Sequence, residues 1–132
     1  MRKNIMLVAK AATTAILLQE LLHEGVDSNC DITICDSAVT AQAAFENGWF
    51  HLVVTELNLV AVNDGLALAL FAKKRSSFTK TVVMSGLDMV TEEEVLGNLG
   101  VDAFLRKPFE NKVAVALFKK LLRVREFPAT MR

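Results

Sequence analysis

Residues 50–65 read FHLVVTELNLVAVNDG. An apolar and β-branched run stops at Glu56, and a loop follows that closes on Asn63, Asp64 and Gly65. A run with little alternation, bounded by turn residues, predicts a strand over 50–55 covered on both faces. A carboxylate just past such a strand stands at the carboxyl edge of the sheet, where open parallel sheets collect ligands and chemistry. What Glu56 can do therefore depends on what the other strands deliver to that edge.

Strands are also predicted at 4–8, 31–35, 81–85 and 101–105, and four of the five are apolar with little alternation. Helical segments separate them. The first, over 14–24, places Leu17, Leu18, Leu21 and Leu22 on one face and stops at Gly25. The second starts after Ser37, a hydroxyl that can cap it, and ends near Gly48. A third runs from Gly65 to Arg75, and a short fourth opens with the capping box Thr91-Glu92-Glu93-Glu94 and is weakened by Gly97. The last spans 111–126. Alternating strands and helices predict an α/β domain built on a parallel sheet, with five helices over both faces.

With 132 residues, the chain is expected to form one domain over 1–126, followed by a tail over 127–132. Hydrophobic residues at 52% against 23% charged make disorder untenable. Fifteen basic residues balance fifteen acidic ones, which removes the electrostatic case for a nucleic-acid or anionic-membrane partner. The basic start and apolar run imitate a signal peptide, but Lys10 interrupts the run after five residues. No run approaches a membrane span, so a cytoplasmic location is expected. Cys30 and Cys35 flank a strand at an odd spacing that points them to opposite faces, so they are expected to be reduced. No CxxC or Cys/His cluster is present, and no metal or cofactor is expected.

At the carboxyl edge the strands deliver Ala9 and Lys10, Glu56, Ser85, and the run Arg106-Lys107-Pro108. Here the chain resembles the receiver domains of two-component response regulators, over roughly 3–122. HLVVTELNLVAVNDG is similar to the acceptor strand and its loop, VVMSG to the fourth strand with its small hydroxyl residue, and VDAFLRKPF to the fifth strand with its Lys-Pro. The resemblance implies a flavodoxin-like, doubly wound sheet of order 2-1-3-4-5, with Lys107 as the conserved-type lysine, Ser85 as the hydroxyl and Phe104 as the switch aromatic. It also implies a cis bond before Pro108.

Receiver domains carry an acceptor aspartate where this chain has Glu56, and an acidic Mg²⁺-holding pair where it has Ala9 and Lys10. An acyl phosphate forming beside carboxylates needs a divalent cation to neutralise the crowded charge. One carboxylate facing Lys10 and Lys107 leaves a net positive crevice, so Mg²⁺ binding and phosphorylation of Glu56 are not expected. Glu56 is read instead as a fixed partner for a buried lysine pair, with imitation of the phosphorylated state as the sharper version. The loop leaves two registers open, because Gly65 lies nine residues after Glu56, one more than the family's spacing, and would align Leu57 with the acceptor. Either register lacks an aspartate.

The functional expectation is a non-enzymatic, phosphorylation-independent signalling or scaffold module. Phosphotransfer to an unorthodox acceptor, Ser85, Asp88 or Glu56, and a flavodoxin-like ligand-binding domain are the alternatives. The last helix spreads Val113, Ala114, Val115, Leu117, Phe118, Leu121, Leu122 and Val124 over an apolar arc wider than one core face needs, so part of it is expected either to be an interface, through Val115, Phe118 and Leu122, or to be covered by the C-terminal tail. By resemblance, a protein partner or second copy is expected on the fourth helix, fifth strand and fifth helix. His23 and His51 are expected to be solvated, Asp64, Asp88 and Asp102 to be loop or turn residues, Trp49 to pack at a helix end, and Lys119, Lys120 and Arg123 to form a solvated face.

Overall fold

The computed structural model describes residues 2–86 and 99–123. Five strands, β1 (Asn4–Val8), β2 (Asp31–Cys35), β3 (Leu52–Glu56), β4 (Lys80–Ser85) and β5 (Ala103–Arg106), form one parallel sheet of order β2-β1-β3-β4-β5. Four α-helices accompany them among the described residues: α1 (Ala12–Gly25), α2 (Ala38–Ala44), α3 (Asp64–Arg75) and α4 (Asn111–Leu122). The helix expected to open at Thr91 lies outside the described residues, as do Asp88 and the tail over 127–132.

The lack of alternation in the strands has a direct cause. Ile5, Leu7, Leu52, Val54, Val82 and Met84 are buried with Leu18 and Leu22 of α1 and Phe118 of α4, while Met6, Val8 and Val53 are buried on the other face with Leu68 and Ala72 of α3. Both pleat directions are apolar because both faces are covered. Cys30 and Cys35 fall into these two separate clusters, and both are free thiols. Burial pushes both thiols above their usual range.

Local signals set the boundaries. Ser37 Oγ accepts the Thr40 N–H at 3.2 Å and so caps α2, which stops at Ala44 and tightens into a 3-10 turn over Phe45–Asn47 before Gly48. β3 begins two residues later than expected and includes Glu56; β5 is shifted likewise, to Ala103–Arg106.

Two expectations are overturned here. Phe118 is fully buried and Leu122 nearly so, and Val115 is half-buried with its methyls against Gly25, so this face of α4 is not a free interface. The apolar arc is wide because α4 packs on the sheet and on α1 at once. Among the described residues of that arc, Val113 alone of the larger ones is half exposed, at 51%.

His51, expected in solvent, is fully buried. It precedes β3 but is bracketed by its neighbours: its N–H donates to Asn4 O at 2.8 Å, its carbonyl accepts from Lys80 N at 2.9 Å, and its Nδ1 accepts the Asn4 N–H at 2.9 Å. Trp49 covers the ring, with centroids 4.9 Å apart. Burial, aided by the positive charge of Lys3, lowers the His51 pKa to about 4. A ring that accepts a backbone N–H at Nδ1 is the neutral form, protonated on Nε2.

The folded pKa thus lies below the unfolded value of about 6.5, so the unfolded chain binds more protons in between. Stability is fully present above pH 6.5 and falls as the pH drops towards 4, by up to about 3 kcal/mol. Urea melts across this window are expected to show that loss, and His51→Asn, whose amide oxygen can still accept from Asn4, is expected to flatten the dependence.

Candidate functional site

The crevice lies where the carboxyl ends of β1, β3, β4 and β5 meet. A cavity of about 170 Å³ is lined there by Glu56, Leu57, Asn58, Ser85, Gly86 and Lys107, among others. Larger depressions, of about 760 and 460 Å³, open at the opposite end around Trp49, the first of them beside Glu46 and Arg75.

Each oxygen of Glu56 is engaged. Oε1 forms an ion pair with Lys107 Nζ, and Oε2 accepts the Lys10 backbone N–H at 2.9 Å. The carboxylate is 14% exposed and the lysine side chain 32%. Lys10 departs from expectation: its side chain is exposed, and among the described residues its ammonium forms no ion pair. It lies two residues past β1, where the chain turns out towards α1, so solvent takes the ammonium and the main chain alone reaches Glu56. The buried lysine pair is therefore a single lysine and a peptide N–H.

The loop register resolves on the same geometry. Leu57 is buried beside Ala69, Val83 and Val101, and its N–H donates to Met84 O at 2.8 Å, so it continues the sheet edge while Glu56 turns into the crevice. The longer loop is held by its own side chains. Asp64 accepts the N–H groups of Leu59 at 2.7 Å, Val60 at 3.0 Å and Ala61 at 2.9 Å, and Asn58 Oδ1 accepts Asn63 N–H at 2.6 Å, with Asn63 left-handed at φ 61°. Burial pushes the Asp64 carboxyl up, but the N–H groups of Ala61, Leu59, Val60 and Gly65 outweigh it and hold the pKa below its ordinary value. Gly65 sits directly on the end of β3: a Cβ there would lie 1.6 Å from Glu56 O. No side chain is compatible with that approach.

Across the crevice, Ser85 is nearly buried at the end of β4, and Lys107 N–H donates to Ser85 O at 2.9 Å. The Lys107–Pro108 bond is cis. Phe104 is half-buried against the cluster of Val83 and Val101. Asp102, expected in a turn, pairs with Lys73 at 2.8 Å and accepts Thr81 N–H at 2.8 Å, which ties α3 to the β4–β5 edge. His23 is half-buried with Nε2 3.2 Å from Cys30 O.

The donor set does not fit a divalent cation. Mg²⁺ favours octahedral oxygen ligation through carboxylates and water. Ala9 offers a buried methyl, Lys10 a cation, and Glu56 has both oxygens committed. Among the described residues no group of three or more His, Cys, Asp or Glu could hold a metal ion.

Sheet order, strand-end crevice and the Lys-Pro turn define the receiver fold. Solved structures agree: a BeF3-activated DrrB receiver domain superposes at a TM-score of 0.80 with 18% identity, covering 94% of this chain and 100% of that one. A CheY-like receiver domain protein from Methanospirillum hungatei does so at 0.80 with 21% identity, covering 92% and 94%. The receiver domain of NtrX from Brucella abortus gives 0.78 with 24% identity, covering 89% and 97%. No protein-family model matches the sequence, and comparison with curated proteins found no match. No helix among the described residues is long and apolar enough to cross a membrane.

Three substitutions probe the crevice. Glu56→Gln keeps the Lys10 N–H acceptor but leaves Lys107 unpaired in a partly solvated site, and urea melts are expected to show a loss of about 1 to 3 kcal/mol. Lys10→Ala is expected to stay within about 0.5 kcal/mol of the parent. Gly65→Ala forces β3 and α3 apart, and is expected to cost more than about 3 kcal/mol or to abolish folding.

Proposed function

We propose that this receiver-fold domain is a phosphorylation-independent signalling or scaffold module of the cytoplasm, working through protein contacts rather than as an enzyme. The observation that carries the reading is the engagement of Glu56 on both oxygens, by Lys107 and by the Lys10 N–H. A phosphoryl acceptor must present a free carboxylate oxygen in line with the donor, beside a cation that neutralises the incoming charge. Here that place is taken by an internal ion pair, and the strand end that could supply metal ligands supplies Ala9 and Lys10. Lys107 has its counter-charge from within the chain, so the crevice has no electrostatic demand for phosphate. The even balance of acidic and basic residues fits a protein partner better than nucleic acid or an anionic membrane.

Radiolabelled acetyl phosphate with Mg²⁺ tests this. The chain is expected to incorporate no base-labile label, and stoichiometric labelling overturns the proposal. The combined variant Ala9→Asp, Lys10→Asp, Glu56→Asp supplies the missing oxygens and is expected to gain Mg²⁺-dependent labelling, which locates the defect in the named positions.

A further inference from the structure

Among the described residues, β2 lies at one edge of the sheet and pairs only with β1. The ladder fixes which of its peptide groups face outwards. Asp31 N–H donates to Lys3 O at 2.8 Å and Cys35 O accepts Ala9 N–H at 3.0 Å, so residues 31, 33 and 35 bond inwards to β1. By the alternation of a parallel ladder, Ile32 and Ile34 direct both N–H and C=O away from the sheet. Natural edges are usually blunted by lysine, proline or a bulge. This one is DITIC, and its one charge, Asp31, is taken by a bidentate pair with Arg2 at 2.9 and 2.6 Å. Ile34 is 45% exposed, which is unusual for a β-branched apolar residue in the middle of a strand.

We propose that β2 is the contact edge of a symmetric homodimer, in which two copies pair antiparallel about a two-fold axis at Thr33 and join their sheets into one. The register follows from the outward groups. Ile32 of one copy faces Ile34 of the other, and each such pair exchanges two N–H···O=C bonds, giving four across the axis. Thr33 faces Thr33 as the intervening non-hydrogen-bonded pair. The alternation that puts Ile32 and Ile34 on one face gathers all four isoleucines into one apolar row. Asp31 meets Cys35 and Asp36 meets Cys30, so no like charges oppose each other. A slip by one residue would set inward-bonded groups opposite outward ones, which leaves this register as the self-complementary one near the strand centre. The interaction stands on the sheet edge and is independent of the crevice, so it holds or fails separately from the phosphorylation reading.

Sedimentation velocity of the chain from micromolar to millimolar concentration is expected to show a monomer–dimer equilibrium. Ile34→Lys alters an exposed side chain, keeps the helical circular dichroism, and is expected to raise the dimer Kd by at least about tenfold. Thr33→Cys tests the register directly: a non-hydrogen-bonded pair has its Cα atoms about 4.5 Å apart, within the range a disulfide spans, so mild oxidation is expected to give a covalent dimer. Val39→Cys, more exposed at 78% but off the edge, is expected to give none. A chain monomeric throughout, a dimer indifferent to Ile34→Lys, or cross-linking at Val39→Cys but not at Thr33→Cys overturns the proposal.

Discussion

Burial of the central strands on both faces is the constraint from which the rest follows. β1, β3 and β4 carry apolar side chains in both pleat directions, so neither face can meet water and helices must cover each. Each crossover returns the chain to the same end of the sheet, and this brings the carboxyl ends of β3, β4 and β5 together around one small cavity, with the Lys10 N–H after β1 reaching Glu56. Close approach then becomes unavoidable. Gly65 lies against Glu56 O because α3 must start directly beneath the end of β3, and Gly25 admits Val115 because α1 and α4 share one face.

Within that frame the Glu56–Lys107 pair is an electrostatic closure of the crevice. Neither partner is free in water: the Lys107 side chain is 32% exposed and that of Glu56 only 14%, so each needs the other, the carboxylate more so. Its second oxygen is met by a peptide N–H rather than another cation, which explains why Lys10 can turn away. The loop on the other side of the crevice is held by Asp64 and Asn58 through main-chain N–H groups.

Much of this was legible in the sequence. Apolar runs with little alternation marked four of the five strands, as parallel strands covered on both faces do, while β2 reads DITIC; Glu56, Ser85 and Lys107 were placed at strand ends that the fold then brought together. What failed has a common origin in contacts between distant segments. His51 looks like a polar strand start until Asn4 and Lys80 close around it, and no local pattern announces that the neighbours of β3 enclose its first peptide groups. The α4 arc was read as surplus apolar surface because a helix that packs on both a sheet and a helix needs more than one stripe. Lys10 was counted as a crevice charge from its position, although position fixes the main chain and not the direction of a long side chain. The Glu56–Leu57 ambiguity could not be decided by spacing, since the extra residue is absorbed in a loop whose shape Asp64 sets.

The tethering of the Glu56 carboxylate has one more consequence. A counter-ion that arrives from solution has an occupancy, and occupancy can be raised, lowered and timed by whatever supplies it. A counter-ion attached to the same backbone is present at an effective concentration that neither a donor molecule nor dilution alters. On the function proposed above, a signal would then be carried not by the fraction of molecules bearing a group in the crevice but by how many copies of the chain exist and which surfaces they meet.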